Sequence, residues 1–345
     1  MGLRDEIFEQ PEAAARLLAD ADGRVARAAE AIARRGARSV FLAARGSSDN
    51  AGLYAKYLWG ARNALPVAQA APSLFGVYGT PPAIGDALVV AISQSGRSPD
   101  IVGVMREGRR QGALTLAITN DSGSPLAEAA ELVIDTAAGP ERAVAASKTY
   151  TTQLVAVAML SAALSGDSEQ RAALARVPAL LAGMLALEDA IAATAPRYRS
   201  MGHCAVLGRG FNYATAFEWA LKLKELAYVI AEPYSPADFQ HGPMALAHEG
   251  FPIFAVVAEG AITANVMELL ARLVETRRVE LLTVSNHAPA LALARTALHL
   301  PEDVPEWLSP ILAIVPAQLF CYHLTRAKGY NTEDPRGLSK ITLTT

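Results

Sequence analysis

The sequence is poor in cysteine, in net charge and in long apolar runs, and each shortage excludes a class of protein. Cysteine occurs twice in 345 residues, at Cys204 and Cys321. Two thiols so far apart make neither a disulfide framework nor a metal cluster. The net charge is −3, from 31 basic and 34 acidic residues, which argues against nucleic-acid or anionic-membrane binding through bulk charge. Apolar stretches such as Leu154 to Leu164 fall short of the ~20 residues that span a bilayer. The polar, acidic start Met1-Gly-Leu-Arg-Asp-Glu6 has no signal-peptide character. What remains is 52% hydrophobic and 19% charged, the composition of a globular chain rather than a disordered one. At ~100–200 residues per domain the length suggests two domains. The expectation is a soluble, cytoplasmic protein.

After an N-terminal helical stretch, short apolar runs alternate with glycine or polar turns and helical patterns. Ser39–Ala44 runs into Arg45-Gly-Ser-Ser-Asp49, Ala87–Ile92 into Ser93-Gln-Ser-Gly-Arg-Ser98, and Leu114–Ile118 into Thr119-Asn-Asp-Ser-Gly123; Glu131–Asp135 follows. Continuous apolar strands alternating with helices predict a buried parallel sheet covered on both faces. The second half repeats the order. His203–Leu207 leads into Gly208-Arg-Gly210, Pro252–Val257 matches the strand before Ser93, and Leu281–Asn286 matches Thr115–Asn120. Elements kept in register point to an internal duplication. The Ala- and Leu-rich region from about Gln153 to Arg197 reads as packing helices at the joint.

The halves differ where function is expected. Ser93-Gln-Ser-Gly-Arg-Ser-Pro-Asp100 gathers three hydroxyls, an amide and backbone N–H groups at a helix start, with Ser98 as N-cap and Pro99 in the first turn. Such a place, at the carboxyl end of a strand, suits a phosphate, although an ordinary serine-rich turn satisfies the same local pattern. Gly46-Ser47-Ser48 is a second hydroxyl-bearing turn at the same end, whereas the duplicate has Ala258-Glu-Gly-Ala261. The second half carries charge instead. Glu218, Lys222 and Glu225 stand at i, i+4 and i+7 on one helix face. A solvated salt-bridge ladder is the commoner fate of that spacing. His241 precedes Gly-Pro in Phe239-Gln-His-Gly-Pro243, and Lys340 ends the polar run Asp334-Pro-Arg-Gly-Leu-Ser-Lys340.

Taken in order, Ser93-Gln-Ser-Gly, Gly139-Pro-Glu with Val144-Ala-Ala-Ser-Lys148, Leu207-Gly-Arg-Gly with Glu218-Trp-Ala-Leu-Lys-Leu-Lys-Glu225, His241-Gly-Pro and Asp334–Lys340 resemble the tandem sugar-isomerase (SIS) module of glucosamine-6-phosphate synthase and its stand-alone relatives. The resemblance covers essentially the whole chain. It implies an α/β fold of two SIS subdomains, each a doubly wound, mainly parallel sheet flanked by helices. The expected division is N-terminal helices over 1–35, a phosphate-binding SIS domain over 36–165, connecting helices over 166–197, a second SIS domain over 198–332 and a tail over 333–345.

Carried across by motif, Ser47, Ser48, Ser93, Gln94, Ser95 and Ser98 hold the sugar phosphate, and Gly46, Ala145 and Ala146 touch the substrate. Glu225 shuttles the proton between C1 and C2, with Lys222 and Glu218 in support. His241 assists ring opening and comes from the neighbouring subunit of a homodimer. Lys340 lies at the sugar carbonyl, where the synthase's equivalent lysine forms a Schiff base. No cofactor and no metal are expected, and His203, His248, His287, His299 and His323 show no ligand spacing.

Three departures bear on the reaction. The synthase's glutaminase exposes a cysteine after its initiator methionine, where Gly2 stands here; glutamine-dependent synthesis by this chain alone is not expected. Ala146 replaces a serine, as in the stand-alone deaminase and deglycase branch. Arg97 replaces an acidic residue, and either adds charge at the phosphate loop or is solvated. The expected reaction is D-glucosamine 6-phosphate plus water giving D-fructose 6-phosphate and ammonia. The alternatives are a deglycase or isomerase acting on another phosphosugar, such as galactosamine 6-phosphate or a fructosyl-amine 6-phosphate, or a non-catalytic sugar-phosphate sensor. Neither nucleic acid nor membrane is an expected partner.

Overall fold

The computed structural model describes residues 2–340. The chain divides into two compact units, one of Glu9–Arg142, Ala146–Pro178 and Ser339–Thr345, the other of Met1–Phe8, Ala143–Ala145 and Ala179–Leu338. They are called the amino-terminal and carboxyl-terminal units after the sheets they contain.

The amino-terminal unit holds β1 (Val40–Ala43), β2 (Val67–Gln69), β3 (Leu88–Ser93), β4 (Leu114–Thr119) and β5 (Leu132–Asp135). Their order is β2-β1-β3-β4-β5, and every neighbouring pair is parallel. β3 and β4 are buried along their whole length, which is why they read as unbroken apolar runs. Val89, Ala91 and Ala117 of the sheet meet Ile101, Val104 and Met105 of the helix Pro99–Arg110 in one core cluster. A second helix, Lys148–Ser165, is buried from Lys148 to Ala162 and packs on the helix Ser47–Asn63.

The carboxyl-terminal unit holds β6 (His203–Leu207), β7 (Ile230–Tyr234), β8 (Pro252–Val257), β9 (Glu280–Ser285) and β10 (Thr296–His299). Its order, β7-β6-β8-β9-β10, is the same topology, again all parallel. The registers correspond as well: Val40 faces Leu88 and Leu88 faces Leu114, as Ala205 faces Ile253 and Ile253 faces Leu281. The duplication read from the sequence is therefore a duplication of fold.

Aromatic residues are few, but four meet in this unit. Trp219 stacks on Phe254 with ring centroids 5.1 Å apart, Phe320 stands edge-on to Phe254 at 5.1 Å, and Tyr198 is edge-on to Phe254 and Phe320 at 5.4 Å. These rings lock the helix Tyr213–Ala227 between the sheet and the helix Ser309–Ala327. Such pairs contribute about 0.5–1.5 kcal/mol beyond the area they bury. The first helix, Leu3–Phe8, belongs to this unit too: Arg4 bonds Glu188 at 2.6 Å, and the Leu3 N–H donates to Glu333 at 3.0 Å.

One expectation about length needs correction. Glu306–Ala327 is 22 residues long and apolar enough, by length and composition, to cross a membrane. Polar residues such as Gln318 and Thr325 interrupt it and disguise it in the sequence. Within the protein, 94% of its most apolar window is buried, so it serves as a core helix here.

Candidate functional site

In the amino-terminal unit, two helix starts lie at the carboxyl ends of adjacent strands. Gly46 is the N-cap of Ser47–Asn63 after β1, and Ser98 is the N-cap of Pro99–Arg110 after β3. Arg45 ties the two together through Asp100, with Nε 2.9 Å and a terminal nitrogen 2.8 Å from Oδ2 of that buried carboxylate. Ser48 is buried, and its Oγ accepts a 3.0 Å bond from Gln153 Nε2 on the buried helix Lys148–Ser165. Ser47 stands half-buried beside it.

The β3 loop is held by its own hydroxyls. Ser93 Oγ accepts the Gly96 N–H at 3.1 Å, and Ser95 Oγ accepts the Arg97 N–H at 3.4 Å. The Gln94 carbonyl accepts the Asn120 N–H at 3.2 Å. Gly96 has φ +62°, and a Cβ there would fall 2.1 Å from Ser124 Oγ, so only glycine fits the turn. Ser98 caps by position alone, because its hydroxyl makes no capping bond. Arg97 points to an exposed ion pair with Asp121 at 3.3 Å. Serines, amides and two helix starts thus converge in one small region, a chemistry suited to an anion.

The same unit holds Lys340. Its Nζ lies 2.6 Å from Oε2 of Glu141, with side chains 21% and 0% exposed respectively. The connection that leads into Lys148–Ser165 contains Ala145, buried, and Ala146, half-buried. Lys148 itself is buried and ion-paired with Glu9.

In the carboxyl-terminal unit the three charges of Tyr213–Ala227 do meet on one face. Lys222 Nζ is 2.6 Å from Glu225 Oε2 and 3.3 Å from Glu218 Oε1. The cluster is no solvated ladder: the Glu218 and Lys222 side chains are 0% and 3% exposed, and Glu225, at 24%, alone reaches solvent. Burial pulls the Lys222 pKa down, but the two carboxylates outweigh it and hold the ammonium's pKa above the usual lysine value. Cys321 is buried beside this cluster and its thiol is pushed far up, chiefly by burial, with Lys222 opposing. Cys204 is buried and pushed up for the same first reason. Neither thiol is an available nucleophile.

His241 forms no ion pair with these charges among the described residues. It ends the short helix Pro236–Gln240, is exposed, and bonds only through its backbone N–H to the Asp238 carbonyl at 3.0 Å among the described residues. The sequence did not single out Glu141 as Lys340's partner, Gln153 as that of Ser48, or Asp100 as that of Arg45. The only available signal for Glu141 was its place in Gly139-Pro-Glu, since its partner lies 199 residues away. Among the described residues no cluster of three or more His, Cys, Asp or Glu could hold a metal ion.

Comparison with known proteins agrees with this architecture. The SIS domain profile matches residues 35–163 and 198–327. The chain is 32% identical over 355 aligned positions to glutamine–fructose-6-phosphate aminotransferase (isomerizing) of Brucella abortus biovar 1 (strain 9-941), an alignment covering 98% of this chain and 58% of the relative. The chain therefore spans a little over half the length of that curated relative. Among solved structures, a suggested phosphosugar isomerase from Silicibacter pomeroyi DSS-3 superimposes with a TM-score of 0.86 at 35% identity, over 97% of this chain and 100% of that one. The C-terminal domain of glucosamine-fructose-6-phosphate aminotransferase from Francisella tularensis gives a TM-score of 0.86 at 28% identity, over 96% and 98%. With two matched copies of the domain and these relatives, the chain belongs to the SIS domain family.

Proposed function

We propose that this protein is a phosphosugar isomerase that deaminates D-glucosamine 6-phosphate, giving D-fructose 6-phosphate and ammonia with the uptake of one water. The observation that carries the reading is the Glu218–Lys222–Glu225 cluster, in which the one solvent-reaching carboxylate rests on a buried ammonium that a second buried carboxylate anchors. A proton shuttle between adjacent carbons needs one carboxylate with surface to the substrate and a fixed charge behind it.

In this reading the phosphate binds at Ser47, Ser48, Ser93, Gln94, Ser95 and Ser98, with Gly46, Ala145 and Ala146 against the sugar. His241, supplied by a second copy of the chain, assists opening of the ring to the aldehyde. Glu225 then removes the C2 proton while the carbonyl oxygen takes up a proton, giving an enaminol. The proton is returned to C1 as the nitrogen loses one of its own, which leaves a hydroxyl on C1 and an imine at C2. Water adds to C2, ammonia leaves, and the ketose phosphate remains. Lys340 stands at the carbonyl end. The SIS relatives and the hydroxyl-lined helix starts support a phosphorylated sugar as substrate.

The test is ammonia release from glucosamine 6-phosphate by the purified protein. Galactosamine 6-phosphate, a fructosyl-amine 6-phosphate and ammonia-free aldose–ketose exchange serve as parallel assays. Ammonia from glucosamine 6-phosphate supports the reading. Turnover only of another sugar corrects the substrate, and binding without turnover of any would replace the enzyme by a sensor.

A further inference from the structure

Gln153 is a buried amide with a single partner. It lies on the helix Lys148–Ser165, in the stretch buried from Lys148 to Ala162, and is 1% exposed. Among the described residues its Oε1 has no hydrogen-bond partner, and its Nε2 donates once, to Ser48 Oγ at 3.0 Å. A buried polar atom left unpaired costs about 1–3 kcal/mol, and an apolar side chain of similar size would avoid that cost. The amide is therefore poorly explained by stability, and its one contact is where a reason has to be sought. Ser48, 8% exposed, stands in the first turn of Ser47–Asn63, and its N–H donates to the Arg45 carbonyl at 3.1 Å. Its hydroxyl oxygen takes the bond from Gln153, and its hydroxyl proton has no acceptor among the described residues.

We propose that Gln153 is a positioning residue for the phosphate: by donating to Ser48 Oγ it leaves the Ser48 proton for the ligand, and so makes this serine a donor to an anion at the start of Ser47–Asn63. The proposal rests on the function given above in taking that anion to be the phosphate of a sugar. A serine hydroxyl has one proton to give and two lone pairs to receive with. Beside a carbonyl, Ser48 would spend its proton there and turn lone pairs toward the helix start, where they repel an anion. Beside an N–H it accepts, and the proton is kept. The donated bond also polarises the Ser48 O–H, which strengthens the next bond of the chain. The partial positive charge of the helix start favours an anion on the same side.

The test is a calorimetric titration of glucosamine 6-phosphate, with inorganic phosphate as a second probe, into the unaltered protein, Gln153→Met, Ser48→Ala and the double variant. Ser48→Ala is expected to weaken binding by about 10–150-fold and Gln153→Met by about 2–12-fold. The melting temperature of Gln153→Met should stay unchanged or rise, because the unpaired carbonyl is removed with the amide. In the Ser48→Ala background, Gln153→Met should alter affinity by less than about twofold, since the hydroxyl it acts through is gone. A purely structural amide predicts instead a lower melting temperature and the same affinity loss with and without Ser48. That pattern overturns the proposal, as does an unchanged affinity in either single variant. Gln153→Leu serves where Gln153→Met does not fold. The reaction is judged apart from this: a protein that binds the probes but releases no ammonia loses the deaminase reading, and the four titrations still decide the role of Gln153. A protein that binds neither probe overturns both.

Discussion

The two units share strand order and register, yet their loops at the same position meet opposite needs. After β3, Ser93 and Ser95 satisfy two amides, and the Ser98 hydroxyl at the helix start makes no capping bond. After β8, the chain satisfies itself. The Glu259 N–H donates to Asn286 Oδ1 at 2.7 Å, the Gly260 N–H to Thr263 Oγ1 at 2.8 Å, and the Ala261 N–H to Glu306 Oε2 at 2.9 Å. A Cβ on Gly260 would fall 2.1 Å from that same Glu306 oxygen, so glycine is needed for the carboxylate to approach. Glu259 also pairs with His287. One half thus presents hydroxyls, and the other has an internal carboxylate where an external anion would otherwise sit. Divergence after duplication worked through who supplies the acceptors rather than through the backbone.

The largest expected effect tests the charged half. Glu225→Gln should lower turnover by about 10²–10⁴-fold while phosphosugar affinity, read by calorimetry, changes little. Loss of binding in step with turnover would show that the halves do not divide the work in this way. Next, Lys222→Met leaves Glu218 and Glu225 without their shared cation and should cost about 3–5 kcal/mol in a denaturant titration. Adding Glu218→Gln should recover part of that loss. Because the Lys222 pKa is raised, its contribution is complete below the ordinary lysine value and is lost only in strong alkali.

Glu141 has the opposite sign. Its pKa is lowered, so its contribution is complete above the ordinary carboxylate value of 4.5 and fades as the pH falls below it. The acid limb of a stability–pH curve should therefore be flatter in Glu141→Gln than in the unaltered protein. On the hydroxyl half, Ser98→Ala removes no capping bond and should leave the melting temperature unchanged. Phosphosugar affinity should still fall by about 10–150-fold, the worth of a hydrogen bond to a charged group. The smallest effect falls on the silent loop. Glu306→Ala strands the Ala261 N–H and should cost about 1 kcal/mol of stability with no change in substrate affinity.

What was legible follows from what is local. β1, β3, β4, β5, β6, β8 and β9 are apolar runs and were expected within a residue or two. β2, β7 and β10, three of the four edge strands, were not: Val-Ala-Gln is three residues long, Ile-Ala-Glu-Pro-Tyr contains Pro233, and Thr-Ala-Leu-His is mostly uncovered. Pro233 is tolerated because β7 pairs only with β6. The shared face of Glu218, Lys222 and Glu225 followed from helical spacing. Its burial did not, since that depends on Phe254 and Phe320, which reach Trp219 from distant segments. Gln153, Glu141 and Glu306 were missed for the same reason, their partners lying 105, 199 and 45 residues away.

The seating of the first helix has a consequence for synthesis. Leu3 bonds Glu333 across a separation of 330 residues, so the helix leaves the ribosome long before its partner exists. At ~5–20 residues per second tens of seconds separate the synthesis of the two. Leu3 and Ile7, buried in the folded protein, belong to a unit whose other residues are not all made until the end of that interval. The carboxyl-terminal unit is thus completed by a segment made before the amino-terminal sheet, and its folding waits on residues some 330 positions later.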